Sequence, residues 1–327
     1  MQESSRSPRA LVTGAGGFIG HHLVSFLKQQ GYWVRGVDLK KPEYESTAAD
    51  DFRILDLRLR ESCLEAAEGV DEVFALAADM GGMGFISGHH AEILHNNVLI
   101  NTHTIDAARQ NGVKRYFYTS SACIYPEYLQ TTTDVVPLKE SDAYPAQPQD
   151  AYGWEKLFTE LLCSYYSGEY GMPTRIARFH NIYGPFGTYD GGREKAPAAV
   201  CRKVALAHDG DSIEIWGDGE QTRSFCYIDD CVEGIYRIMQ SDHPEPLNLG
   251  TDDIVSINQL VQLVVEVAGK RDIGVVHMPG PQGVRGRNSD NSLLREVLGW
   301  EPSRSLRDGL EPTYRWIEKR LTSGEHD

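Results

Sequence analysis

Ala10-Leu-Val-Thr-Gly-Ala-Gly-Gly-Phe-Ile-Gly20 runs from a short apolar strand, Ala10 to Thr13, straight into a glycine-rich turn. His21 to Gln30 then reads as a helix. Gly14, Gly16, Gly17 and Gly20, with Phe18 and Ile19 among them, sit where a nucleotide-binding loop needs them. Such glycines allow a tight turn, close approach of a pyrophosphate to the backbone, and close packing of helix on strand. The N–H groups at the helix start face the phosphates. Strand, loop and helix together predict a dinucleotide site in the first βαβ unit. Val34 to Asp38 is the next strand, and Asp38 lies eighteen residues past Gly20. A carboxylate there accepts hydrogen bonds from the adenosine ribose and repels a 2′-phosphate, favouring NAD over NADP. Asp56, after the third strand, either faces the adenine or is a surface carboxylate.

Outward from this unit, Phe52 to Leu57, Glu72 to Ala77 and Arg115 to Ser120 read as further strands, and Ile93 to Gln110 as a helix. Strands alternating with helices at this spacing predict an α/β fold, a Rossmann-type doubly wound parallel sheet. Beyond residue 182 the texture changes. Tyr183-Gly-Pro-Phe-Gly187 and Asp190-Gly-Gly-Arg193 are loop chemistry, and Pro279 to Arg287 is rich in Gly and Pro. Ser256 to Ala268 and Leu310 to Leu321 read as helices. The expected division is a dinucleotide domain of residues 1–182 plus about 226–255, and a smaller substrate lobe of 183–225 and 256–327.

The 327 residues are 41% hydrophobic and 24% charged, ordinary for a soluble globular protein. No apolar run approaches the about 18 residues of a membrane span. Met1 to Arg9 lacks the apolar centre of a secretory leader. A net charge of −15 argues against a nucleic-acid partner. The six cysteines (63, 123, 163, 201, 226, 231) are scattered, with no Cys-x-x-Cys pair, and fit a reducing cytoplasm. The eleven histidines show no metal-ligand spacing, so no metal site is expected.

Tyr152-Gly-Trp-Glu-Lys156 places a phenol and an ammonium on one helix face, one turn apart. The Lys charge favours ionisation of a phenol that ordinarily titrates near about 10, making Tyr152 a base. Thr119-Ser-Ser-Ala-Cys-Ile-Tyr125 ends a strand at the carboxyl edge of the sheet, where ligands of such sheets sit. There Ser121 can hold a sugar hydroxyl. Cys123 is either a small core residue or a catalytic thiol on the same side. Lys195, in Gly191-Gly-Arg-Glu-Lys-Ala-Pro197, is either a solvated charge or a proton donor. Arg223, Arg285 and Arg287 are either surface arginines or a clamp for a diphosphate.

The glycine loop, Ser121 and the Tyr152/Lys156 pair resemble the extended short-chain dehydrogenase/reductase superfamily of nucleotide-sugar enzymes. Within it, Ala78-Asp-Met-Gly-Gly-Met-Gly-Phe-Ile86, Arg178-Phe-His-Asn-Ile-Tyr-Gly-Pro-Phe-Gly187, Trp216-Gly-Asp-Gly-Glu-Gln-Thr-Arg-Ser-Phe225 and Gly283-Val-Arg-Gly-Arg-Asn-Ser-Asp-Asn291 resemble the GDP-mannose 3,5-epimerase family. The similarity runs from about residue 10 to 320, and the longer N-terminal extension of the plant members is expected to be missing. It implies an NAD-dependent isomerase that converts GDP-D-mannose to GDP-L-galactose, or to GDP-L-gulose by inversion at C5 alone, and that forms a homodimer. Tyr152 and Lys156 match the redox pair, which also touches NAD, and Cys123 and Lys195 match the base and acid of epimerisation. Gly81, Ser121, Ala122, Asn181, Glu194, Ala196, Lys203, Gln221, Thr222, Arg223 and Arg287 match substrate-contacting positions.

Rival readings predict other residues. The 4,6-dehydratases resemble this chain but carry Thr-Asp-Glu where it has Ser121-Ala-Cys123. GDP-fucose synthases share the Ser-x-Cys-Ile-Tyr-Pro segment but use NADPH and a histidine in place of Lys195. A simple 4-epimerase needs neither Cys123 nor Lys195, and a binding scaffold has no use for the Ser-Tyr-Lys set.

Overall fold

The computed structural model describes residues 6–323, so residues 1–5 of the stretch read for a secretory leader lie outside the described residues. β1 (Arg9–Thr13) enters the glycine loop and α1 (Phe18–Gln29) leaves it. There follow β2 (Trp33–Asp38), β3 (Asp51–Ile54), α2 (Arg60–Ala67) and β4 (Glu72–Ala75). A single turn, α3 (Met83–Ile86), precedes α4 (His90–Gln110), β5 (Arg115–Ser121), α5 (Ala151–Tyr170) and β6 (Thr174–Phe179). Side chains alternate across these strands with period two. Ala10 and Val12 face a core shared with Leu23, Val24 and Leu27 of α1. Leu11 faces the opposite core, with Ile105 and Ala108 of α4 and Cys163 of α5. Apolar side chains on both faces are what a parallel sheet between two helical layers requires.

The second half holds β7 (Ile182–Tyr183), α6 (Ala196–Leu206), β8 (Ser212–Trp216), β9 (Thr222–Ser224) and β10 (Cys226–Tyr227). After α7 (Ile228–Gln240) and β11 (Leu247–Leu249) come β12 (Ile254–Ser256), α8 (Ile257–Ala268), β13 (Gly274–Met278) and β14 (Gly286–Arg287). The described chain closes with α9 (Ser292–Leu298) and α10 (Leu306–Ser323). Seven strands form one parallel sheet in the order β11-β6-β5-β4-β1-β2-β3. The order reverses between β1 and β4, which opens a crevice at their carboxyl ends. β11 brings the chain back to the sheet after the excursion of residues 183–225. The remaining strands form small sheets, among them β12-β9-β14.

Helix limits differ from those expected at three places, and α4 starts at His90, three residues before Ile93. α1 starts at Phe18, three residues before His21, because Gly17 is already its N-cap and the loop is correspondingly short. α10 starts at Leu306, four residues before the expected Leu310, and runs through Gly309 and Pro312. A Cβ on Gly309 would lie 2.2 Å from the Tyr183 hydroxyl, so this glycine admits a close helix contact and does not end the helix.

A buried ion pair supports the strand that carries the site. Arg178 on β6 donates from Nη2 to Glu160 Oε2 at 2.8 Å and from Nε to Oε1 at 3.0 Å. Ser120, next to Ser121 on β5, donates to the same carboxylate at 2.5 Å. Removing one partner of such a pair leaves a buried charge uncompensated. Arg178→Met is therefore expected to lower unfolding free energy by about 3–5 kcal/mol in urea titration. A loss below about 1 kcal/mol, the range of an exposed pair, would contradict that assignment.

Candidate active site

The end of β5 turns inward through Ser121. Its Oγ accepts from the Cys123 N–H at 3.1 Å and caps a one-turn 3₁₀ helix, Ala122–Ile124. α5 packs its first turn against that segment. Asp150 caps α5 by accepting from Gly153 N at 2.9 Å. A Cβ on Gly153 would come within 2.2 Å of the Cys123 carbonyl oxygen, so glycine here lets helix and cysteine turn touch. Tyr152 and Lys156 are consequently buried, one turn apart, against the end of β5. Lys156 Nζ donates to the Thr119 carbonyl at 2.9 Å and lies 5.5 Å from the Tyr152 ring centroid. The Ser121 hydroxyl is near enough to the Tyr152 phenol to favour its ionised form.

The electrostatics differ from the simple expectation that Lys156 lowers Tyr152. Burial, with the Cys123 thiol and the Glu155 carboxylate nearby, holds the Tyr152 phenol well above its ordinary value, and the Ser121 hydroxyl works against this. Burial also lowers the Lys156 and Lys195 ammonium groups, and the nearby Cys123 opposes this in both. The same sulfur is thus within electrostatic reach of both lysines. Lys195 stands at the N-terminus of α6, with Pro197 in the first turn.

Two arginines complete the cluster. β14 pairs with β9 so that Arg287 lies directly beside Arg223. Arg287 Nη1 donates to Cys123 Sγ at 3.3 Å. Arg223 donates to the carbonyls of Thr222 at 2.7 Å and Val284 at 2.6 Å. Burial and the Arg287 charge push the Arg223 guanidinium down to about 9. Side-by-side guanidinium groups of this kind match a bidentate, doubly charged anion such as a diphosphate. Gln221 is buried and donates to Trp216 O at 3.0 Å, while its Oε1 has no partner among the described residues. Asn181, with a φ of 46°, donates to Ser224 O at 2.9 Å.

The glycine loop lies across the crevice. A Cβ on Gly16 would meet Lys40 O at 2.1 Å, and one on Gly20 would meet Gly14 O at 2.1 Å, so both are needed for the turn itself. Gly17 faces only Gly14 O, at 3.3 Å, and leaves its outer side open. Asp38 accepts from Gly16 N at 2.9 Å and Leu39 N at 2.6 Å, which fastens the loop to β2. A cleft lined by Gly16, Gly17, Phe18, Lys40, Tyr44 and Phe186 opens beside it. These residues fit a dinucleotide.

Residues 10–250 match the family described as NAD dependent epimerase/dehydratase. The chain belongs to the NAD-dependent epimerase/dehydratase family. Across 319 residues it is 54% identical to the GDP-mannose 3,5-epimerase of Arabidopsis thaliana, covering 97% of this chain and 84% of that one. GDP-mannose 3,5-epimerase 1 of Oryza sativa subsp. japonica is 53% identical over the same length, with 97% and 83% covered. Among solved structures, UDP-glucose 4-epimerase of Thermotoga maritima with UDP-glucose superposes with a TM-score of 0.86 at 29% identity, over 96% of this chain and 99% of that one.

Not every residue read from the sequence meets at the centre of this epimerase. Asp218 holds Arg285 through two bonds, at 2.7 and 2.8 Å, on the surface, away from the role of diphosphate clamp. Arg285 precedes β14 and turns to Asp218, whereas Arg287 lies within the strand and reaches Cys123. Asp56 is likewise engaged by Arg58, with Nη2 donating at 2.7 Å, and its carboxyl is held below the usual range by that guanidinium. Lys203 on α6 donates to Glu214 O on β8 at 2.6 Å. Thr222 Oγ1 donates to Thr133 O at 2.8 Å, and Glu194 Oε2 accepts from Gly192 N at 2.6 Å. Gly81 and Ala122 are buried, and Ala196 opens α6.

Three contributors carried no sequence signal. Gly153 looked like a filler between Tyr152 and Lys156. Gln130 lies in no motif, yet it is buried and accepts from Arg287 Nε at 2.5 Å. Arg193 stacks its guanidinium 3.6 Å over the Phe85 ring and pairs with Asp79 at 3.3 Å. Together with Gly82 N donating to Arg193 O at 3.1 Å, it ties the segment around Gly81 to the one before Lys195.

Proposed function

We propose that this epimerase inverts C3 and C5 of GDP-D-mannose through a 4-keto sugar to give GDP-L-galactose, and that inversion at C5 alone gives GDP-L-gulose. The observation that carries this reading is the meeting of Cys123, and of Lys195 within its electrostatic reach, with the Ser121, Tyr152 and Lys156 set. Those two groups are surplus to an enzyme that only oxidises and reduces C4. The 54% identity to the Arabidopsis enzyme supports the same substrate.

Bound NAD supplies a reversible hydride acceptor for C4, held by the loop Gly14 to Gly20 and by Asp38. Tyr152, as the phenolate, takes the proton of the C4 hydroxyl at Oη, and Ser121, which works against the effect of burial on the phenol, orients that oxygen. Lys156, anchored on the Thr119 carbonyl, keeps a positive charge beside the phenol. Once C4 is a ketone, the hydrogens on C3 and C5 are α to a carbonyl and become acidic. Cys123 Sγ removes one of them as a thiolate, forming an S–H bond and leaving an enolate. Lys195 Nζ returns a proton from the opposite side, which inverts the carbon. Arg223 and Arg287 hold the diphosphate, and Gln221, Thr222, Asn181, Glu194 and Lys203 the rest of the nucleotide sugar.

The reading extends to organisation. The dinucleotide lobe comprises 1–182 with about 226–255, supported by the return of β11 to the large sheet. Five of the six free cysteines are buried, in keeping with a reducing cytoplasm. No helix of the described residues is long and apolar enough to cross a membrane. Trp154, Phe158, Leu161 and Tyr165 form an exposed apolar stripe along α5, beside Leu94 of α4. A contiguous stripe of this kind calls for a partner, and a second copy paired helix to helix covers it. Sedimentation is expected to show a dimer that Phe158→Asp converts to monomer; a wild-type monomer would rule this out.

The reaction itself is tested by incubating the holoenzyme with GDP-D-mannose and resolving the product sugars. GDP-L-galactose and GDP-L-gulose are expected. A 6-deoxy-4-keto product would assign the chain to dehydration instead, and unchanged GDP-D-mannose would overturn the proposal.

A further inference from the structure

Cys123 and Arg287 belong to distant parts of the chain, and one side chain joins them. Gln130 is 1% exposed. Its Nε2 donates to the carbonyls of Tyr125 and Pro126, both at 3.1 Å, which are the residues just past the cysteine turn. Its Oε1 accepts from Arg287 Nε at 2.5 Å. Its main-chain carbonyl accepts from Arg285 N at 2.9 Å and Gly286 N at 3.3 Å, on the segment that delivers Arg287. The carboxamide orientation follows from its neighbours. A guanidinium N–H can only donate and a carbonyl can only accept, so the amide oxygen must face Arg287 and the amide nitrogen the turn.

This arrangement fixes more than a distance. A guanidinium is planar, so a bond at Nε sets the plane in which Nη1 lies. In that plane Nη1 reaches Cys123 Sγ at 3.3 Å. The Gln130 bond holds this plane against the adjacent charge of Arg223, which favours a swing away. We infer that Gln130 is a positioning residue that aims the Arg287 guanidinium at the Cys123 sulfur, keeping a cation against the group that removes the sugar proton. The inference deepens the epimerase reading and rests on it for the role of the sulfur.

The test is alkylation of the NAD-loaded protein by iodoacetamide across a pH series, with each cysteine followed by peptide mass spectrometry. Cys123 is half-buried and the other five cysteines are buried, so they report loss of fold in the same experiment. Two variants, Gln130→Met and Gln130→Asn, lose the bond to Nε, one by chemistry and one by length. In whichever keeps the five buried cysteines unlabelled, Cys123 labelling near neutral pH is expected to fall about tenfold. In an Arg287→Lys background the same Gln130 substitution is expected to change labelling less than twofold, because the group it aims is gone. Wild-type labelling in a folded Gln130 variant, or an undiminished effect in the Arg287→Lys background, would overturn the inference. Turnover of GDP-D-mannose by the unaltered chain is measured separately, so failure of the epimerase reading is distinguishable from failure of this one.

Discussion

Tyr152→Phe is expected to lower the rate of C4 oxidation, and with it kcat, by about 10²–10⁴-fold, the range lost when a positioned proton acceptor is removed. The substitution deletes only the phenolic oxygen. Tyr152 is 5% exposed and its ring packs with Ile86 and Ile93, so a phenyl ring fills the same space and the fold is retained. Ser121 keeps its bond to Cys123 N and still caps the 3₁₀ turn. What is lost is the one oxygen that the proposed reaction assigns to the C4 proton. Stopped-flow absorbance of the reduced cofactor after addition of GDP-D-mannose reads the step directly. A rate within fivefold of the wild type, with an unchanged thermal midpoint, would remove Tyr152 from the reaction.

The second large effect separates two steps that Tyr152→Phe abolishes together. Cys123→Ala and Lys195→Met are expected to leave the reduced-cofactor signal in place while lowering inversion at C3 and C5 by about 10²–10⁴-fold. The physical reason is the division of labour in the proposed reaction. There Cys123, whose Sγ accepts from Arg287, serves C3 and C5, and Tyr152 with Ser121 serves the C4 hydroxyl. The two variants differ in one respect. Without the base, no α-proton leaves, so solvent exchange stops; without the acid, exchange from the Cys123 side survives and only inversion fails. Equal loss of the redox signal and of inversion in Cys123→Ala would mean that the thiol serves C4 and not its neighbours.

Much of this arrangement is legible before any coordinates. The loop Gly14 to Gly20 and Asp38 are read from local spacing because one turn of backbone determines their geometry. Tyr152 and Lys156 are read because helical periodicity alone puts them on one face. The contacts that sharpen the site are long-range and leave no such trace. The 2.5 Å bond from Arg287 to Gln130 spans 157 residues, and its bond to Cys123 spans 164. Arg285 and Arg287 look equivalent in Arg-Gly-Arg, yet only Arg287 lies within β14, and one reaches Asp218 while the other reaches Cys123. Gly309 and Gly153 look like helix weakeners and turn out to be contact points, since a missing Cβ matters only where another chain segment arrives. The burial of Tyr152 leaves no trace in the sequence for the same reason: the Lys156 charge is local, but burial, which raises the phenol, is a property of the assembled fold.

The account turns on proton exchange at two carbons made acidic by a transient ketone. Its most direct test is NMR of the sugar after incubation of the holoenzyme with GDP-D-mannose in D₂O. Deuterium at both C3 and C5, accompanied by inverted configuration and with C4 retaining its original hydrogen, is the predicted result. Inversion without deuterium at either carbon, or deuterium at neither with C4 inverted, would contradict it.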